Sequence, residues 1–352
     1  MIESLLRKHL ISLKGYKCAR DEADCADAIY LDANENCYDH LGGGKNRYPD
    51  PKAVRLREEI SSYFSVPFEN IAVSNGSDEM IDMLIRLFCT PGEDKVMIFS
   101  PTYGEYKVFS LFNAVDVVDI PLKPDFSLDV ERAKERIKMG DVKIVFITNP
   151  NNPTGMLFPK DDILEIADAN PGITVIDEAY AEFAASYGSL WNQRKDNRRI
   201  VILKTMSKFF SLASSRVGFM FADEEIVDVY LRLKAPYNVS LSDQEDAIRV
   251  LSDPSSTERD KDMIIKERER LIAKLEKLSF VISVFPSEAN FVLVKVKDAY
   301  NLYSKLLEKG IIVRNRSKDY MLENTIRITI GKKEEMDRLM EVLDEEEKSA
   351  LS

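Results

Sequence analysis

The 352-residue chain has only two histidines, His9 and His40. A three-histidine metal site is therefore impossible. A Ser-His-Asp triad would have to use one of these two, and neither lies in a strand-turn context. If the chain does proton chemistry, another group must carry it, which points towards lysine. The four cysteines, Cys18, Cys25, Cys37 and Cys89, show no CxxC spacing, and reduced thiols in a cytoplasmic protein are the plain reading. No apolar run reaches the roughly 18 residues that a membrane-spanning helix needs. The N-terminal "MIESLLRKHLISLKGYK" lacks the unbroken apolar stretch and small-residue cleavage site of a secretory signal. Positive charge is not in excess either. The net charge of −11 argues against nucleic acid as a partner, although a few buried arginines can still hold small anions.

What is present is an ordinary globular composition, 45% apolar and 31% charged, in a chain long enough for two domains. Its middle alternates apolar runs with helical patterns. The runs are "KVMIFS" (95–100), "KIVFIT" (143–148), "ITVIDE" (173–178), "RIVILKT" (199–205) and "VGFMFA" (217–222). They are continuous rather than alternating, as suits strands covered on both faces. In "SDEMIDMLIRLFC" (77–89), Met80, Ile81, Leu84, Ile85 and Phe88 fall at helical spacing; 129–140 and 160–170 are further helix candidates. This order predicts an α/β fold around a mostly parallel sheet. From about residue 236 a charged helix (257–278) is followed by "FVISVF", "NFVLVKV", "GIIVRN" and "TIRITIG", which reads as a smaller α+β domain. The final "EEEKSALS" reads as a frayed tail.

Ligands of open α/β sheets sit beyond the carboxyl ends of the strands. Polar, turn-forming residues collect there: "NPNNPTG" after "KIVFIT", Asp177 and "AY" at the end of "ITVIDE", and "TMSK" after "RIVILK". Alone, Lys208 reads as a solvated lysine, Asp177 as a helix cap and "NNPTG" as a loop. Together they fit a pyridoxal phosphate site. Lys208 would condense with the cofactor aldehyde, and Asp177 would face the ring nitrogen. Tyr180 and Asn152 would face the phenolic oxygen. Thr205, Ser207 and Arg216 could take the phosphate. "SNGSDE" (74–79) opens a helix whose free N–H groups favour an anion, unless Ser77 or Asp78 merely caps it. "GGGKNRYP" (42–49) follows no apolar strand and has no Ser or Thr after its lysine, so it is not a P-loop.

"LDANEN", "NRYPDP", "NGSDE", "SPTYGEY", "NPNNPTG", "IDEAY", "TMSKFFSLASSRVGF" and "IRITIG" occur in that order between about residues 16 and 331. The series resembles the fold-type I pyridoxal-phosphate-dependent aminotransferases, class II branch, and within them the histidinol-phosphate aminotransferases. The resemblance implies a large cofactor domain (39–235), a small C-terminal domain (236–352), and an N-terminal segment (1–38) packed on the small domain and the substrate site. It assigns Lys208 the proton shuttle as well as the bond to the cofactor. It adds Tyr103 as a ring stacked on the cofactor, and Gly76, Ser77 and Asp78 to the phosphate cup. Tyr48 would reach that phosphate from the partner subunit of a homodimer with shared active sites. Tyr16, Asn34, Arg314 and Arg327 would bind substrate. Arg327 would serve the carboxylate of glutamate or 2-oxoglutarate, and Arg314 would assist with a substrate phosphate. The implied reaction is ping-pong transfer from L-histidinol phosphate to 2-oxoglutarate through pyridoxamine phosphate. Ser214 and Ser215 depart from the glycine and apolar residue frequent in the family.

Other readings stay open on the sequence alone. These are an aromatic or other amino-acid aminotransferase of the same family, a threonine-phosphate decarboxylase, and a cofactor-binding regulator without turnover. No metal, nucleic-acid or membrane partner is expected.

Overall fold

The structure is a computed structural model and describes residues 2–16, 18, 29–184, 187–194 and 197–351. Its strands are β1 Ile71–Asn75, β2 Lys95–Ile98, β3 Asp116–Asp119, β4 Val142–Thr148, β5 Ile173–Asp177, β6 Ile200–Thr205, β7 Val217–Phe221, β8 Val281–Val284, β9 Phe291–Val296, β10 Arg314–Asn315 and β11 Thr325–Thr329. The helices are α1 Lys8–Ile11, α2 Val54–Phe64, α3 Gly76–Phe88, α4 Glu105–Phe112, α5 Val130–Ile137, α6 Lys160–Ala169, α7 Glu224–Leu233, α8 Leu241–Ser252, α9 Ser255–Leu275, α10 Ala299–Glu308 and α11 Lys333–Leu351.

Seven strands form one sheet in the order β1-β7-β6-β5-β4-β2-β3. It is parallel except for β7, which runs antiparallel to both β1 and β6. The continuous apolar runs are explained by what covers them. Ile200 and Ile202 of β6 face one core with α2, α5, α6 and α8, while Val201 and Leu203 face a second core with α3, α4 and α7. On α3 the helical stripe Met80, Ile81, Leu84, Ile85 and Phe88 is fully buried, and each side chain contributes roughly 1.5–3 kcal/mol of burial. The parallel strands β4, β5 and β6 therefore end on one edge of the sheet.

The smaller sheet has the order β10-β11-β9-β8 and alternates by twos. Val292, Val294, Ile326 and Ile328 enter a separate core with α9, α10 and α11. Phe291, Leu293 and Arg327 take the other face, and Phe291 and Leu293 join the core of the large sheet. The two sheets also meet at Gly155, in the loop after β4. Its φ is +80°, and an added Cβ would stand 2.5 Å from Ser287 Oγ, so a side chain there would force the small domain away.

Three expectations change. First, α8 packs against α2, and its Ala247 and Leu251 belong to the large-sheet core. The change of texture near residue 236 thus precedes the change of core, which comes within α9, where Leu271 and Leu275 join the small core. Second, the described start of the N-terminal segment packs on the large domain rather than the small one. Ile2 and Leu6 are buried beside α3 and α7, and Arg7 donates its N–H to Leu87 O at 3.0 Å. Third, the C-terminal residues continue α11 to Leu351 instead of fraying. Glu346 pairs with Lys305, Glu345 with Lys309 at 2.8 Å, and Glu347 accepts from Ser279 N–H at 2.8 Å.

Candidate active site

A pocket of about 150 Å³ lies at the carboxyl ends of β4, β5 and β6. It is lined by Ser77, Asp78, Tyr103, Asn152, Asp177, Tyr180, Thr205, Ser207, Lys208 and Arg216, with Thr148 and Ala179 completing it. Ten of the predicted residues thus come together. They arrive from separate segments at strand ends fixed by sheet pairing: most end or follow a strand, and Arg216 directly precedes β7.

Asp177 closes β5 and is 4% exposed. Burial pushes its carboxyl up to about 6, against two donors that favour the ionised form. These are Tyr106 Oη, at 2.6 Å from Oδ2, and Ala179 N–H, at 3.1 Å from Oδ1. Lys208 lies in the turn after β6. Its amine opens to the pocket and lies 5.7 Å from the centre of the Tyr180 ring. Desolvation by the surrounding protein lowers its pKa, helped by the charge of Arg327 and opposed by Asp177 and Asp78. Tyr180 is pushed up to about 12, chiefly by burial, so it stays a hydroxyl donor. Asn152 Nδ2 donates to Tyr180 Oη at 3.4 Å.

The other end of the pocket suits an anion. Arg216, at φ +51°, sets Nη1 3.3 Å from Ser207 Oγ and Nη2 3.3 Å from Asp78 Oδ2. Gly76 opens α3, and a Cβ there would stand 2.6 Å from Arg216 Nη2; only glycine lets the guanidinium lie against the helix start. Asp78 is already engaged through its carboxylate with Arg216 and with Tyr103 Oη at 3.1 Å. What it offers an anion is its backbone N–H at the start of α3.

Arg327 approaches from the small domain and donates from Nη1 to Asn152 Oδ1. Burial lowers its pKa, and its Nε is buried without a hydrogen-bond partner. Arg314 stands directly opposite it across β10 and β11, and the two line a neighbouring cavity of about 380 Å³. Tyr16, Asn34 and Tyr48 do not reach the pocket of their own chain. Tyr48 stacks on Tyr237 with ring centres 4.4 Å apart. Its segment is held outside by the Arg47–Glu35 ion pair at 2.8 Å, and Asn34 lies in the same surface cavity. Tyr16 is exposed in another cavity beside α7.

Two features escaped the sequence reading. Tyr106 is fully buried and links Asp177 to Thr148 Oγ1, 2.8 Å away. Its signal is the spacing of three from Tyr103, which puts both rings on one face of the turn entering α4. Behind the pocket, buried Lys204 lies 3.2 Å from Glu178 and pairs with Glu182, tying the ends of β5 and β6 together. Removing one member of such a buried set costs about 3–5 kcal/mol. Tyr106→Phe removes a donor to the ionised form of Asp177. The carboxyl should then titrate about one unit higher, seen as an upward shift in the pH dependence of cofactor binding.

The sequence pattern described as "Aminotransferase class I and II" matches residues 10–343. The chain is 41% identical over 345 residues to the histidinol-phosphate aminotransferase of Cytophaga hutchinsonii, covering 97% of this chain and 98% of that one. Its fold is similar to the crystal structure of the histidinol-phosphate aminotransferase from Clostridium acetobutylicum, with TM-score 0.80 and 29% identity over 87% of this chain and 92% of that one. It is also similar to the Sinorhizobium meliloti histidinol-phosphate aminotransferase in complex with pyridoxal-5'-phosphate, with TM-score 0.79 and 23% identity over 87% and 84% of the two chains. Matched in sequence along almost its whole length and in fold over most of it, the chain belongs to the family of class I and II aminotransferases.

Proposed function

We propose that the protein is a pyridoxal-phosphate-dependent aminotransferase that transfers the amino group of L-histidinol phosphate to 2-oxoglutarate, in histidine biosynthesis. The donor set of the pocket fits the cofactor. The buried Asp177 carboxylate needs a cation, Lys208 offers an amine of lowered pKa, and Arg216 with the start of α3 offers an anion cup. Bound there, pyridoxal phosphate supplies an electron sink for the pair left on the substrate Cα when its proton departs. The Lys208 amine would take that proton from Cα and hold it for return. Asp177 keeps the ring nitrogen protonated. Asn152, Tyr180 and Tyr103, which line the same pocket, would hold and orient the ring.

The observation that carries the substrate reading is Arg327 at the rim, bonded to Asn152 and opposite Arg314 in register. A guanidinium accepts a carboxylate or a phosphate in the same fork geometry, so one site can serve both half-reactions in turn. The location of Tyr48 outside its own pocket supports a homodimer in which it reaches the partner's cofactor phosphate, with Tyr16 and Asn34 completing the substrate side. Among the described residues no helix is long and apolar enough to cross a membrane, and Cys18, Cys37 and Cys89 are free thiols, which supports action in the cytoplasm. The test is steady-state turnover with 2-oxoglutarate against histidinol phosphate, phenylalanine and threonine phosphate. Histidinol phosphate should give the highest kcat/KM; no turnover of it would overturn the substrate reading.

A further inference from the structure

A larger cavity, about 980 Å³, lies apart from the pocket, between the N-terminal segment, α2 and the end of α7. Lys234 lines it, is 8% exposed and does not touch the candidate site. Its ammonium donates to three oxygens: Ala235 O at 3.1 Å, Pro236 O at 3.2 Å and Asn238 Oδ1 at 2.7 Å. Asn238 then donates from Nδ2 to Glu79 Oε2 at 2.7 Å, and its carbonyl accepts from Asn75 Nδ2 at 3.0 Å. Glu79 also accepts the backbone N–H of Asn75 at 2.6 Å. Asn75 and Glu79 bracket Gly76, Ser77 and Asp78. A continuous hydrogen-bonded path therefore runs from Lys234 to the start of α3.

We propose that Lys234 is a positioning residue for the phosphate cup: its ammonium orients Asn238, and through Asn238 and Glu79 it holds Asn75–Asp78 in the geometry that receives the cofactor phosphate. This rests on the reading that the start of α3 and Arg216 form that cup. An ammonium has three N–H donors for the three oxygens. A neutral amine has two, and its lone pair would face one of the oxygens. Burial brings Lys234 down to about 8, opposed by Glu79 of α3 and by Asp50 before α2. The other charged groups around the cavity are Arg57 of α2, Asp228 and Arg232 of α7, Lys14, Lys52 and Glu69. The ammonium is thus intact near neutral pH and lost as pH rises beyond about 8.

The experiment measures the dissociation constant of pyridoxal phosphate from cofactor-free protein across pH, for the wild type, Lys234→Met and Asn238→Ala. Near neutral pH each variant should bind about tenfold more weakly, the scale of one charge-assisted hydrogen bond. The Lys234→Met to wild-type ratio should fall towards one above about pH 9, because the wild type has then lost the same ammonium. Lys208 and other titrating groups are common to both proteins and cancel in the ratio. A ratio that stays constant with pH means that only the lysine stem matters, and overturns the proposal; so does a ratio of one throughout. If Lys234→Met does not fold, Asn238→Ala decides, since wild-type affinity there overturns the path. Arg216→Ala separates the two readings. Unchanged affinity in it sinks the cup itself, whereas weakened affinity together with a pH-independent Lys234 ratio sinks only the role of Lys234.

Discussion

Lys208→Ala is expected to lose at least about a thousandfold in kcat while the cofactor-free protein keeps its fold, because the variant lacks the amine proposed as both nucleophile and proton carrier. The amine sits at the end of β6, one turn from the buried strand, so its removal opens no cavity in either core of the large sheet. Partial desolvation beside the pocket and the charge of Arg327 both lower its pKa, which raises the share of the reactive free amine. The effect should therefore fall on chemistry and not on the binding of the substrate anion. Two measurements check this: steady-state kcat, and the mass of the protein after borohydride reduction in the presence of pyridoxal phosphate. The wild type should retain a covalent cofactor, and Lys208→Ala should not. A fixed cofactor of unchanged yield in the variant would place the reactive amine elsewhere.

Asp177→Asn should separate stability from function. In the cofactor-free protein burial pushes the Asp177 carboxyl up to about 6, from the usual aspartate value of about 3.9. Since the folded value is the higher one, full stability is present below about pH 4 and is lost as pH rises through about 6. The lost amount approaches about 3 kcal/mol at higher pH. Asparagine keeps the shape and can meet both Tyr106 and Ala179, and it does not ionise. The cofactor-free variant should therefore be more stable than the wild type at pH 8 by up to about 3 kcal/mol, with the gain gone at pH 4. Its kcat should nevertheless fall by about a hundredfold or more, because no anion then holds the proton on the ring nitrogen. Denaturant melts at the two pH values check the first part and steady-state kinetics the second. A variant less stable than the wild type at pH 8 would mean that the carboxylate is satisfied without the cofactor.

The legible parts of the fold were those where one physical cause dominates. β4 to β7 are mostly apolar runs without in-out alternation because helices cover both their faces, and α3 shows its stripe because one side meets the sheet. β1 and β3 gave weaker signals. β1 ends in the polar pair Ser74–Asn75, and β3 is four residues with an aspartate at each end, all at least partly exposed. The allegiance of α8 was hidden because a change in composition marks where charge begins, not which core a helix joins. In the site, Lys208, Asp177 and Asn152 were legible because strand ends concentrate them. Tyr106 was not, because a buried tyrosine on a helix looks like any core aromatic until its hydroxyl is seen against a carboxylate. Tyr16, Asn34 and Tyr48 are on the surface of one chain, so no property of that chain alone brings them to the pocket.

The strict alternation of β11 has a consequence for how the protein can fail. Arg327 lies between Ile326 and Ile328, whose side chains enter the core of the small domain. A pairing shifted by a single residue would drive the guanidinium into that core and turn the isoleucines towards Asn152 and the pocket. A misregistered small domain is thus unstable at the same moment that it loses the Arg327 contact with Asn152. The register that buries Ile326 and Ile328 is therefore the same one that presents Arg327 to the large domain.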